Sequence, residues 1–499
     1  MTLDDLAPTI VAGAVVVLIA VIGVRFAGRL GVPGLLIYLL IGLVLGTAFP
    51  VEFRDPGLAT VLGYAALIII LANGGLTTRW DELRPVLWPS VVLASVGLTI
   101  SVAIVAVPLI WLSGMEPRLA LLLAAVLSAT DAAAVFSVLR RVNVIPRLRT
   151  LLEGEAGFND APVVVFVSVL AGSAAVADAW QIPLLVLAEL VGGAAVGLAV
   201  GFGTRWLMPR LALPSAGLYP IAVVAMLVAA YGIADLLHAS GFLAVYVAAV
   251  IVGSSRALPH RRAVKGFSDG LSWVAEIGLF VMLGLLVVPD RLVAALSIAA
   301  VATVTLLVAA RPLAAVASLL PFRWPWRSIG FVSVAGLRGA VPIVFAAIPL
   351  GLAMPGAQIV FDATFVVVLV LTLIQTPALP WLSRRLGVSV PPEPGELEVD
   401  SAPLDGMRAV VLGLSVPPES ELIGVFVREF GLPDESVVSL VIRDDEPMVP
   451  DAETRLRAGD GLVIVTTEGA RKACEQRLRA LSRHGRLASW RGDQGEASR

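Results

Sequence analysis

The sequence predicts an all-α polytopic membrane protein of about thirteen transmembrane helices, with a small α/β domain at its C-terminus. Three observations lead there: an apolar composition, a series of apolar runs long enough to cross a bilayer, and a strict alternation of positive charge between loops. Of the 499 residues, 58% are hydrophobic and 15% charged, with a mean hydropathy of +0.92. A soluble domain carries about 25% charge, so lipid is the natural solvent for this chain. The formal net charge of −2 supplies no basic field for nucleic acid. Cys474 is the sole cysteine, and the histidines are His238, His260 and His484. No disulfide, metal site or cofactor is expected from so few ligands. The acidic N-terminus lacks the basic region of a cleaved signal peptide.

A bilayer core needs about 20 apolar residues per helix. Such runs occupy 7–25, 31–49, 57–76, 86–112, 118–139, 151–175, 182–207, 216–237, 240–255, 270–288, 292–318, 328–350 and 358–383, the one at 240–255 being short. Loops after odd-numbered runs hold eighteen Arg and Lys, among them Arg25, Arg29, Arg79, Arg140, Arg141, Arg205, Arg256, Arg261, Lys265 and Arg384. The other side holds three: Arg54, Arg118 and Arg291. Positive loops stay cytoplasmic, so the N-terminus is expected outside and the C-terminus inside, in the cell membrane. Trp80, Trp88, Trp111, Trp180 and Trp324 fall near run ends and read as interfacial anchors. The glycines of 192–203 permit close helix packing.

Composition changes near residue 387. The expected organisation is a transmembrane domain over 1–387, a Pro/Glu-rich linker over 388–404, a folded module over 405–486 and a disordered tail over 487–499. Within the module, strands are expected at 408–414, 436–442 and 461–467, and helices at 419–430 and 469–483. No GxGxxG follows the first strand, so a dinucleotide site of that kind has no support.

Ionisable residues inside spans are costly and mark function by default. They concentrate in three runs. The fifth carries Thr130 and Asp131; the sixth carries Glu155, Asn159 and Asp160; the twelfth carries Arg338. Glu155 and Asn159 share a helix face, whereas Asp160 lies about 140° around from Glu155. That spacing lets Glu155 pair with Arg338 while Asp160 faces a different cavity. An unpaired, partly desolvated Asp can alternate between proton and cation. Gly336, Gly339 and Pro342 surround Arg338, and Pro162 follows Asp160; these are the expected helix breakers, and irregular backbone at this depth must line a cavity or be buried in protein. The fifth run has no Gly or Pro near Thr130, so nothing local forces a break there. The fifth and twelfth runs are seven apart and cross in opposite directions, as inverted repeats require. Asp235, His238 and Asp362 lie near run ends and are expected to meet water. Glu189 and Glu276 lie deeper and take no assigned role.

These motifs, ATDAAAVFSVL followed by LLEGEAGFNDAPVVVF with GLRGAVP downstream, resemble the monovalent cation–proton antiporter superfamily, specifically its NhaP-type branch. The resemblance covers about residues 1–387. It implies a homodimer of thirteen-helix subunits with two broken, crossing helices, exchanging a monovalent cation, K+ or Na+, for H+. It implies that Asp160 is the shared cation- and proton-binding carboxylate. Thr130 and Asp131 match the crossing segment, Asn159 the residue tying the sixth helix to it, and Glu155 with Arg338 the buried ion pair. Asn159-Asp160 is similar to the Asn-Asp pair of the electroneutral branch. Two positions depart from the pattern: Ala156 where a Ser is frequent, and Asn73 where an acidic residue is frequent, leaving Asn73 as a possible ion ligand through its carbonyl. The tail resembles a TrkA-C regulatory module, with a small ligand as its implied partner, and the combination is similar to potassium–proton antiporters of cell-volume regulation. A channel would need a filter or pore loop, an enzyme a nucleophile–base or metal set, and a non-transporting receptor would not need buried carboxylates opposite an arginine in broken helices.

Overall fold

The computed structural model describes residues 11, 13–23, 34–48, 55–139, 142, 144–172, 181–211, 213–255, 258–390, 400–404, 409–416, 420–443, 446–467 and 469–484. Arg25, Arg29, Arg54, Arg140, Arg141, Trp180, Arg256, most of the linker and the 487–499 tail lie outside them. The chain forms two compact units, Met1–Ser389 and Val390–Arg499.

The first unit is helical. In order, its helices are α1 (Gly13–Gly23), α2 (Gly34–Ala48), α3 (Pro56–Thr77), α4 (Trp80–Trp111), α5 (Pro117–Ser128), α6 (Ala132–Leu139), α7 (Pro146–Ala171), α8 (Gln181–Leu207), α9 (Leu218–Leu236), α10 (Gly241–Ser254), α11 (Arg261–Leu285), α12 (Pro289–Phe322), α13 (Trp326–Ala335), α14 (Ala340–Gly351) and α15 (Ala357–Leu386). Each predicted run overlaps helix where its residues are described. Among the described residues, eight helices are long and apolar enough to cross a membrane, nine with the bent pair α13–α14; α1, α2, α5 and α10 are shorter apolar helices. Side-chain caps open α3 and α10, from Asp55 and Ser240. Asp55 accepts from the N–H groups of Gly57 (2.9 Å) and Leu58 (3.1 Å) ahead of α3, with Pro56 in the first position, where no N–H is needed.

Two triplets repeat in the same order. α4 and α12 each contain one turn of π-helix, at Leu93–Gly97 and Leu306–Ala310. Each is followed by a broken helix, α5–α6 or α13–α14, and then by a long helix, α7 or α15. α7 and α15 are the most enclosed of the long helices, with 67% of their apolar windows buried. α7 is central, packing on α4, α5, α6, α8, α10 and α14. α8 is peripheral, with 17% buried and Leu187, Val191 and Leu198 exposed. Its other face packs on α10: a Cβ on Gly193 or Gly197 would lie 2.4 Å from Ser240 O or 2.7 Å from Ala244 O. Trp80, Trp88 and Trp111 are exposed, as interfacial residues should be. Trp324 instead is buried, with the Arg147 guanidinium 4.8 Å above its ring.

The second unit is an antiparallel sheet in the order β1-β2-β5-β3-β4, from Asp400–Leu404, Ala409–Ser415, Ser436–Arg443, Glu446–Met448 and Gly461–Thr467, plus helix α16 (Arg471–His484). The central strand β5 alternates, burying Leu462 and Ile464, and α16 adds Cys474, Leu478 and Leu481 to the core. The expected helix over 419–430 is not present among the described residues there. Gly424 has φ +85, and the segment instead runs through turns and a short 3-10 turn at Val427–Glu429. A bridge from Phe426 to Arg455 holds it, and burial of Leu422, Val425 and Phe430 supplies the stabilisation that a helix face would have given.

Candidate functional site: two broken helices and a buried carboxylate

α5 stops at Ser128 and α6 starts at Ala132; α13 stops at Ala335 and α14 starts at Ala340, bent by 48°. A broken helix exposes free N–H groups on one side and free C=O groups on the other. In this fold the two breaks meet and supply each other. The Asp131 N–H donates to Leu337 O across the crossing (3.0 Å). The Asp131 carboxylate accepts from Ala340 N–H, the first residue of α14 (2.6 Å), and from Ala134 N–H of α6 (3.3 Å). One carboxylate therefore caps two helix N-termini. Arg338 serves the opposite ends. Its Nε donates to Leu127 O of α5 (3.1 Å) and its Nη1 to Gly336 O just beyond α13. The negative charge sits at the positive ends of two helix dipoles and the positive charge at two negative ends. Gln375 on α15 donates to Val334 O (2.9 Å), and Thr372 donates to the carbonyl of Arg338 itself (2.9 Å).

The glycines make room for these charges. A Cβ on Gly339 would lie 2.0 Å from Asp131 Oδ2, and one on Gly336 would lie 2.3 Å from the Arg311 guanidinium. The other two expected breakers break nothing. Pro342 is the third residue of α14, where a missing N–H costs no bond. α7 runs unbroken through Pro162, held by neighbours on several sides.

α7 carries Glu155, Asn159 and Asp160 past this crossing, all three buried. Asn159 Nδ2 donates to Thr130 Oγ1, tying α7 to the gap between α5 and α6. Glu155 is bound by Arg311 of α12, at 2.5 Å (Nη1–Oε1) and 3.2 Å (Nη2–Oε2). The expected pair of Glu155 with Arg338 is thereby corrected. Arg338 sits inside the break, where the freed carbonyls take its protons, while Arg311 reaches Glu155 in two-pronged geometry. Sequence reasoning missed Arg311. Its signal was present, as a second arginine within an apolar run (VAARPLAAV) followed by a proline, but nothing in local spacing chooses between two arginines more than 150 residues from Glu155.

Asp160 differs from every other carboxylate at the crossing. It is 0% exposed, and neither of its oxygens has a hydrogen-bond partner among the described residues. Asn159 Oδ1 is likewise buried, with no partner among the described residues. An ionised carboxylate in such a place is costly unless something neutralises it, so the Asp160 group is chemically suited to hold a proton or a cation. Asp131, which the resemblance places in the crossing segment, uses its oxygens as the caps described above. Asn73 hydrogen-bonds Asp269 of α11 (3.1 Å) rather than Thr130, Asn159 or Asp160; its Oδ1 is buried without a protein partner. Asp235 and His238 are exposed as expected. Asp362 is 2% exposed, not at the water, and accepts from Gln358 (2.9 Å). Among the described residues no His/Cys/Asp/Glu group could hold a metal ion.

Two broken helices that meet beside a buried carboxylate whose oxygens have no partner among the described residues define a secondary ion transporter rather than an enzyme. Residues 14–385 match the transmembrane sodium/hydrogen exchanger family, to which this chain belongs, and it is a membrane cation/proton antiporter with a TrkA-C domain at 411–478. It is 34% identical to the K(+)/H(+) antiporter NhaP of Alkalimonas amylolytica over 92% of this chain and 81% of that one. The K(+)/H(+) antiporter NhaP2 of Shewanella baltica gives the same identity and coverage. In fold it is similar to the sodium proton antiporter MjNhaP1 of Methanocaldococcus jannaschii, with a TM-score of 0.64 at 22% identity over 77% of this chain and 99% of that one.

Proposed function

We propose that the protein exchanges K+ for H+ across the cell membrane, one for one, with Asp160 holding either ion in turn. The observation that carries this reading is the Asp160 carboxylate, fully buried with both oxygens unpartnered. A proton or a cation satisfies it equally, and both cannot be held together. Asn159 Oδ1 and Thr130 Oγ1 are the neutral oxygens that would complete a cation's shell. Glu155 is neutralised by Arg311, and Asp131 is held by backbone N–H groups. That leaves a single exchangeable carboxylate at the crossing, and hence an electroneutral cycle. K+ is favoured over Na+ because the relatives named as K(+)/H(+) antiporters match over nearly the whole chain, whereas the Na(+)/H(+) antiporter ApNhaP of Aphanothece halophytica is 28% identical over 72% of it. The subunit has thirteen spans, with its N-terminus outside and C-terminus in the cytoplasm, it pairs as a homodimer, and the TrkA-C domain binds a small ligand that adjusts exchange. Purified protein in vesicles with an internal pH dye tests the reading: K+ added outside should move protons more strongly than Na+ or Li+. Proton movement with none of the three would overturn it.

A further inference from the structure

We infer that the membrane unit holds an anionic phospholipid in a groove between α4 and α8, with its phosphate in a basic pocket at the groove's end. Two adjoining cavities carry the inference. The first, about 720 Å³, is walled by the apolar stripes of α4 (Leu87, Val91) and α8 (Val191, Leu198), with Val250 of α10 and Phe158 of α7 behind. Its rim residues Trp88, Val191 and Phe202 are 53–68% exposed, so it opens to whatever surrounds the helices. In a membrane that is acyl chain. The second cavity, about 360 Å³, is lined by Arg79, Lys265, Arg261, Trp80, Asp81 and Ser254. The two share Trp80, Asp81 and Ser254, so the apolar groove runs directly into the basic pocket.

The pocket's charge is unbalanced. Three cations line it against the one carboxylate of Asp81. Arg79 also has Glu82 at 3.4 Å, which leaves Arg261 and Lys265 opposite Asp81. Arg261 Nη2 donates to Gly253 O (2.6 Å), while its Nε is buried with no protein partner among the described residues. Trp80 N–H donates to Ser254 Oγ (2.9 Å), fixing the junction between groove and pocket. An anionic headgroup supplies the missing negative charge, and its chain fills a groove that water would wet poorly. A zwitterionic lipid brings its own cation and fits the pocket less well. The occupant would lie against Phe158 and Pro162, the neighbours of the Asn159-Asp160 pair, and so touch the helix that carries the exchange carboxylate.

The test uses full-length protein in detergent and native mass spectrometry with three probes: phosphatidylglycerol, phosphatidylcholine and glycerol 3-phosphate. Phosphatidylglycerol should be retained about fivefold or more over phosphatidylcholine, as the one uncompensated positive charge near a headgroup allows. Lys265→Gln should reduce that preference, and Arg261→Gln with Lys265→Gln should abolish it. Ala194→Phe, which fills the groove without touching the bond to Gly253, should weaken both lipids. Glycerol 3-phosphate should fail to displace the lipid. Equal retention of the two lipids, a preference that survives the double substitution, lipid binding unaffected by Ala194→Phe, or displacement by glycerol 3-phosphate as effective as by lipid would each overturn the proposal.

Discussion

Two carboxylates five residues apart on α7 have opposite fates because of what faces them. Glu155 meets both prongs of Arg311, and Asp160 meets no donor among the described residues. Asp160→Asn should therefore abolish exchange and leave the fold intact, since an amide replaces a carboxyl of the same shape; vesicle transport and thermal unfolding check the two halves, and full cation-driven proton flux in the variant would refute the assignment. Arg311→Ala is the reverse case. It strands a buried Glu155 and should destabilise by about 3–5 kcal/mol, well beyond the effect of Asp160→Asn in the same melting experiment. Replacing both partners, Glu155→Leu with Arg311→Met, should recover part of the loss, because an apolar pair leaves no uncompensated charge; a double variant as unstable as Arg311→Ala would count against the pair. That Asp160 faces away from the Glu155 pair was legible in the sequence, because five residues of helix put about 140° between them. The partner of Glu155 was not, because an arginine's reach is decided by which helix lies opposite. The role of Arg338 was hidden for a related reason: its acceptors are carbonyls that exist only because two other segments stop being helical.

At the level of elements, the crossing is a mutual capping arrangement. The break in α13–α14 was legible, since Gly336 and Gly339 both lie in it. The break at Thr130 was not, because no local residue forbids helix there. It is imposed from outside: the Asp131 N–H that would bond within α5–α6 is taken by Leu337 O, and the side chain turns to Ala340 and Ala134. The same logic explains the 420–430 segment, where Gly424 in the left-handed region ends a pattern that apolar spacing alone read as helix. If the crossing is one unit, Gly339→Ala should behave like damage to Asp131. The added Cβ would sit 2.0 Å from Asp131 Oδ2 and displace it from the α14 N-terminus. Losing an N-cap costs roughly 0.5–2 kcal/mol per helix, so both Gly339→Ala and Asp131→Ala should lower the melting point and suppress exchange. Asp131→Asn, which keeps an acceptor oxygen, should stay closer to the parent in stability. Parent-like exchange in Gly339→Ala would show that the breaks do not depend on each other.

For the whole molecule, the question is what the tail does to a cycle whose proposed ion site lies in the other unit. Every residue of the crossing precedes Leu386, and the TrkA-C match begins at 411. The place to cut follows from the structure rather than from composition. Val388 is buried, its carbonyl accepts from Ile145 N–H (3.0 Å), and Ser389 bridges to Val144 beside the start of α7. A chain ending at Gly387 would lose these bonds and so confuse loss of the tail with damage at α7. Ending at Val390 keeps them. A ligand on the tail can shift the transporter between states only by its differential affinity for them, so removing the tail removes that bias and nothing from the ion site. The expected outcome for the Val390 truncation is retained exchange with a changed rate, ion affinity or pH profile. Under the proposed one-for-one cycle it should also be electroneutral, because the truncation leaves Asp160 untouched. A thiocyanate diffusion potential, which imposes a voltage without fixing K+, should leave the equilibrium K+ distribution unchanged in both the full chain and the truncation. A distribution that follows the voltage in the full chain would sink the one-for-one cycle. A folded truncation with no exchange at any pH or K+ concentration would make the tail part of the cycle itself, and one indistinguishable from the full chain under every condition would remove the case for regulation.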